Sequence, residues 1–314
     1  MAIVKNWKNY LQIIGILLFV YLLIKIDVSN VINEIKKANI YFIIISLFLL
    51  IITLLIQTYK WFIIARFQDI KVPFKESFKI NLISNFYGLV TPAKFGSLVR
   101  AEYLKKYTKN IGKGLFNFTI DKVLDSISVI FMAILFSFVF KDKLNLPVGF
   151  FTALFFAFIL ATLFFIKKER SKWFLRLFYI RLSKKLSNKT KSKIKLTFDS
   201  FYENVPKKRY LILFLLINLV SWVLVYSIYY FIGLSVGIKL SFFYYLAILP
   251  IGTAVSMIPI SVGGLGTREA VLISLFALFN VEAVRVFSMS IINYFIVGII
   301  PAIIAIFWVW KNNH

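Results

Sequence analysis

The 314-residue chain is 60% hydrophobic, carries a net charge of +25, and has one histidine and no cysteine. Its mean hydropathy is +0.84, and apolar runs of membrane-crossing length recur from end to end, which excludes a soluble fold. The missing cysteines remove disulfides, thiolate nucleophiles and cysteine metal sites, and with its sole histidine at His314 the chain is expected to hold no metal and no cofactor. The apolar runs are continuous, not alternating, so the expected fold is an all-α polytopic membrane bundle and not an outer-membrane barrel.

In chain order, Leu11 to Ile26 follows Lys5 and Lys8 without a small-residue cleavage site and reads as a retained first helix. Ile40 to Ile56 is the second span; both runs are slightly short of the ~20 residues a span needs and extend into Lys25 and Tyr59 to Trp61. Ser77 to Lys105 follows, broken at Gly88, Pro92 and Gly96, and then the spans Leu115 to Phe140 and Val148 to Ile166. After a long basic segment come the span Leu211 to Ile232, a second broken stretch from Phe242 to Phe279, and a last span from Val286 to Trp310. The second stretch is interrupted at Pro250, Pro259 and Gly263-Gly264-Leu265-Gly266.

Non-helical backbone is tolerated at membrane depth only where protein covers it or it lines a polar cavity. The two broken stretches therefore read as re-entrant hairpins beside about six full spans, in an order compatible with an inverted repeat. The alternative is two kinked spans, which would put the last helix end outside. Between Lys167 and Arg209 stand fifteen Lys or Arg against three acids, so this loop is placed in the cytoplasm. Lys60 to Lys79 and Arg100 to Lys113 are basic and fall on the same side, while Asp27 to Lys37, Lys141 to Lys143 and Gly233 to Ser241 face outward. The expected protein is one domain, 1–314, multi-pass in the cell membrane, with both termini cytoplasmic. Within 167–210, Trp173, Phe174, Leu177 and Phe178, then Ile194, Phe198, Phe201 and Val205, recur at helical spacing between lysines and read as interfacial helices, or else as a solvated loop.

Three constellations could carry function. In Thr91-Pro92-Ala93-Lys94-Phe95-Gly96-Ser97, followed by Arg100, proline stops a helix and glycine permits close approach; a half-helix starting near Phe95, beside Lys94 and Arg100, would offer an anion site. Arg100 could instead lie among head groups. Asp121 and Asp125 sit one turn apart, with Asp125 near mid-core, awaiting a partner among Arg268, Arg100 and Lys122. Pro259 to Glu269 puts three glycines beside Arg268 and Glu269, whose charges must pair or line water. Asn218 and Asn293 read as packing glue between helices. No Walker loop, dinucleotide fingerprint or HExxH motif is present, so no enzyme is expected.

These residues resemble the lysylphosphatidylglycerol synthase transmembrane-region family, a flippase-like membrane domain found alone or joined to a cytoplasmic synthase. The resemblance rests on Asn85, Pro92, Lys94, Gly96 and Arg100, on Asp121-Lys122-Val123-Leu124-Asp125, and on Pro259, Ser261, Gly263, Gly264, Gly266, Arg268 and Glu269. Ser97 departs from it, standing where the family usually has an acid, as does Asp121-Lys122 where Glu-Arg is frequent. The resemblance implies a membrane lipid translocase for a phosphate-bearing lipid, aminoacylated or not, without the synthase domain, and makes all of these residues candidate substrate contacts. It also implies membrane lipids as partners, with a separate lipid synthase or glycosyltransferase. The competing readings are a membrane component of a polyprenyl-lipid glycosylation pathway and a small-solute transporter.

Overall fold

A computed structural model describes residues 17–91, 94–108, 111–140, 148–165, 167–183, 187–257 and 264–312. Among them there is no strand, and three helices, Ile40–Phe67, Arg209–Ser235 and Ala283–Trp308, are long and apolar enough to cross a membrane.

Helix α1 (Leu17–Ile26) leads into α2 (Val28–Lys36), which Asp27 caps by accepting from the Ser29 N–H at 2.9 Å. The stretch read as an outer loop is thus a short helix, and Val31 packs it against the start of the last long helix. Helix α3 (Ile40–Phe67) continues well past the expected end of the second span. Trp61 to Ala65 keep the helix apolar, and Thr58 and Lys60 are buried instead of interfacial.

The first broken stretch folds back on itself. Helix α4 (Phe74–Leu89) is followed by a 3-10 turn (Phe95–Leu98) and α5 (Val99–Leu104), both packed on α4. Sixteen helical residues reach only ~24 Å, short of a ~30 Å core. Helix α6 (Gly112–Val139) carries α7 (Val148–Phe165) on its flank.

The basic segment forms α8 (Lys168–Ser183) and α9 (Asn188–Phe201), so it is folded helix and not solvated loop. Lys168 bonds Asp199 at 2.8 Å and holds its carboxyl below the usual range, while Phe201 meets Phe116 of α6 with ring centres 5.2 Å apart. Trp173, Ile194 and Leu196 stay exposed among the lysines, as an interfacial helix requires.

Helix α10 (Lys208–Ser235) lies along α3, and the second hairpin is built from α11 (Phe242–Ser256) and α12 (Thr267–Ala277). Helix α13 (Ala283–Asn293) passes through a π-helical turn (Tyr294–Ile299) into α14 (Ile300–Asn312).

Two contacts fix the direction of each hairpin. The Asn39 N–H donates to the Ser235 carbonyl at 2.9 Å, so α10 ends where α3 begins; at the opposite end Phe67 packs on Tyr210 with ring centres 4.0 Å apart. Because α4 follows the end of α3 and α11 follows the end of α10, the hairpins enter the bundle from opposite ends. Each packs against the closing helix of the other half, α4 on α14 and α11 on α6, as an inverted repeat predicts. The basic segments gather at the α3 C-terminal end, where Lys113 pairs with Glu203 at 3.0 Å and Asn204 bonds Asp69 at 2.7 Å.

Candidate functional site

Between the hairpins lies a cavity of about 180 Å³ whose wall draws on α3, α4, α5, α6, α10, α12 and the π-helical turn. Its polar floor is an ion-pair cluster on three long helices. Lys60 of α3 reaches Asp121 Oδ1 at 2.7 Å, Asp125 Oδ1 at 2.9 Å and Asn218 Oδ1 at 2.5 Å. Arg100 donates to Asp121 Oδ2 at 2.9 Å and stacks over Trp61 at 5.1 Å, while Lys122 holds Asp125 Oδ2 at 2.9 Å. Asn218 is kept in place by donating to the Leu124 carbonyl at 2.9 Å and to Ser128 Oγ at 2.8 Å. Burying ions is costly, and here the cost is offset because every carboxylate oxygen of the pair faces a cationic nitrogen.

This corrects several expectations. Asp121 and Asp125 do share a face, but their partners are Lys60, Arg100 and Lys122, and not Arg268. Lys60 was assigned to the interface because it stands near the end of an apolar run; the apolar residues after it were the signal that the helix continues. Asn218 is a member of the cluster, beyond simple packing. Arg100 is 3% exposed and lies in the cluster, not among head groups.

The first hairpin tip places Gly96 against Tyr87, where a Cβ would collide with the carbonyl. The Gly96 N–H donates to Thr91 Oγ1 at 2.7 Å and the Ser97 N–H to the Lys94 carbonyl at 3.1 Å, so the expected free amide cradle is filled by the chain itself. Positive charge comes from side chains instead. Lys94 holds φ 57, a left-handed conformation that costs a residue bearing a Cβ about 1–2 kcal/mol. It is exposed and lines the cavity, and its ammonium has no hydrogen-bond or ion-pair partner among the described residues. Asn85 also lines the cavity, and the buried Asn293 Oδ1 and Arg100 Nε have no partner in its wall.

In the second hairpin Glu269 is 1% exposed. Its Oε1 accepts from Arg268 at 2.7 Å and Ser290 Oγ at 2.7 Å, and its Oε2 from the Gly266 N–H at 2.6 Å, the N3-to-N-cap half of a capping box on α12. Gly266 sits at φ 82 and Gly264 at φ 82, conformations that favour glycine. Arg268 extends from this lock into the wall of the cavity that Lys94 also lines. Pro92, Pro259, Ser261 and Gly263 lie outside the described residues. Ser126 Oγ lies 3.9 Å from Met257 Sδ, which ties α6 to the start of the second tip.

The cavity and its adjoining lock thus hold five cations, Lys60, Lys94, Arg100, Lys122 and Arg268, against the carboxylates of Asp121, Asp125 and Glu269. An excess of two positive charges in a low-dielectric wall favours an anion.

Comparison with known proteins agrees with these motifs. Residues 11–305 match the model of the family described as Lysylphosphatidylglycerol synthase TM region. A UPF0104 membrane protein of Pyrococcus horikoshii is 26% identical over 326 residues, covering 98% of this chain and 97% of the relative. A UPF0104 membrane protein of Methanothermobacter thermautotrophicus is 23% identical over 286 residues, covering 86% and 85%. With the match running through both hairpins and the ion-pair cluster, the chain belongs to the lysylphosphatidylglycerol synthase transmembrane-region family.

Proposed function

We propose that the protein translocates a phosphate-bearing lipid, holding the head group in the cavity between the two broken hairpins while the tails remain in the bilayer. The observation that carries this reading is Lys94, whose ammonium has no partner among the described residues, lining the same cavity as Arg268 in a wall of net positive charge. Val90 and Phe95, 55% and 60% exposed on either side of Lys94, offer apolar surface where tails would run. Hairpins entering from opposite ends give the bundle two similar halves that can rock around a fixed site, the basis of alternating access. The basic end is the cytoplasmic side of this scheme, in a cell membrane.

The test is lipid movement in proteoliposomes containing fluorescent phosphatidylglycerol, read by quenching of the outer leaflet. The full chain should move lipid well above protein-free vesicles, and Lys94→Gln should lower the rate by about tenfold, the equivalent of ~1.4 kcal/mol. Equal rates with and without protein would end the reading. A parallel arm with polyprenyl phosphate separates a phospholipid route from a role in polyprenyl-lipid glycosylation.

A further inference from the structure

We infer that the cavity selects head groups bearing phosphate without an ammonium, so that an aminoacylated, cationic phospholipid is the poorer ligand; this rests on the translocation reading and names its substrate class. The argument is a tally of charges. Recognition of an ammonium needs a carboxylate oxygen free to accept from it, or a negative field. The carboxylates in the cavity wall are Asp121 and Asp125, and each of their four oxygens has a cationic nitrogen within 2.9 Å, Asp121 Oδ1 as an ion pair with Lys60 without hydrogen-bond geometry, so the charge of both acids is already balanced. Glu269, next to the wall, is consumed by Arg268, Ser290 and the Gly266 N–H. The tip segments outside the described residues, 92–93 and 258–263, add no acid to the sequence there. On the donor side the opposite holds. The Lys94 ammonium has no partner among the described residues, nor does the buried Arg100 Nε in the same wall. The site therefore has cations to give and no anion left to offer.

A phosphodiester brings one negative charge to two uncompensated positive ones. Adding an aminoacyl ammonium to the same lipid removes that attraction, and a lysyl group, with two ammoniums, reverses it. Affinity should fall along that series, with phosphatidylethanolamine between phosphatidylglycerol and lysylphosphatidylglycerol.

The experiment titrates the purified full chain in neutral detergent, following intrinsic fluorescence from Trp222 in the cavity wall. The probes are short-chain phosphatidylglycerol, phosphatidylethanolamine, lysylphosphatidylglycerol and inorganic phosphate. Phosphatidylglycerol should bind at least about tenfold more tightly than lysylphosphatidylglycerol. Lys94→Gln should weaken phosphatidylglycerol and narrow that ratio; Lys94→Glu should invert it, and serves as the second variant should either substitution disturb the turn. Equal affinity for the two lipids, or a ratio unchanged in both Lys94 variants, overturns the inference. Inorganic phosphate displacing the lipid at equal concentration overturns the assignment to a lipid. Binding is read without vesicles, so the two readings fail separately. A chain that binds selectively but moves no lipid sinks translocation alone, and one that moves lysylphosphatidylglycerol as fast as phosphatidylglycerol sinks the selectivity alone.

Discussion

Asp121→Asn should destabilise the bundle more than any other single isosteric change in the cluster. Asp121 bridges Lys60 at 2.7 Å and Arg100 at 2.9 Å, and Arg100, 3% exposed, pairs with no other carboxylate among the described residues. The amide offers one acceptor where two were used and turns a donor toward one of the two cations. Arginine cannot escape by losing its proton. Breaking a buried pair by removing one partner costs about 3–5 kcal/mol. At ~2 °C per kcal/mol for a chain of this size, the unfolding midpoint in detergent should fall by about 6–10 °C. Adding Arg100→Met should return much of that loss, because Lys60 still has Asp125 at 2.9 Å and no guanidinium is stranded. Fluorescence-detected size exclusion after heating measures both. An Asp121→Asn midpoint equal to that of the parent chain, or a double variant no better than the single one, would refute the view that these charges are held by one another.

Glu269→Ala and Arg268→Ala should each lower both thermal stability and lipid movement, the first because it frees the Gly266 N–H and Ser290 along with Arg268, the second because it strands the buried Glu269 carboxylate; both readouts come from the same purified variants. Gly96→Ala should cost about 1–3 kcal/mol by forcing the first tip away from the Tyr87 carbonyl, visible as a lower midpoint, and an unchanged midpoint would contradict the close approach. A cysteine placed at Lys189 of this naturally cysteine-free chain should be labelled only from the cytoplasmic side; labelling from outside intact cells would contradict the orientation drawn from the basic end.

What the sequence made legible was local. Gly96, Gly264 and Gly266 mark breaks because helix interruption depends on the residue at the position, whereas Gly88 and Pro250, expected to interrupt the chain, lie inside α4 and α11, and α4 begins at Phe74, three residues before the expected start of the first hairpin. The Glu269 cap on the Gly266 N–H is also local, three residues apart at the start of α12. What was hidden is long-range. Lys60 meets its partners 65 and 158 residues away, so nothing near it in the chain distinguishes a buried lysine from a snorkelling one. Arg268 was offered to Asp125 because both are intramembrane charges, but Glu269 beside it captures it at 2.7 Å. The filled amide cradle at Gly96 depends on a threonine hydroxyl turned back into the tip, which the residue order alone does not reveal.

The central claim, a phosphate head group held between the two hairpins, is tested most directly by an experimental structure of the full chain in nanodiscs rich in phosphatidylglycerol. The account predicts phosphate density within ~3–4 Å of the Lys94 ammonium, on the side facing Arg268, with acyl density running past Val90 and Phe95. A cavity filled only by water, with Lys94 turned into the bulk and lipid density confined to the outer surface of the bundle, would contradict it.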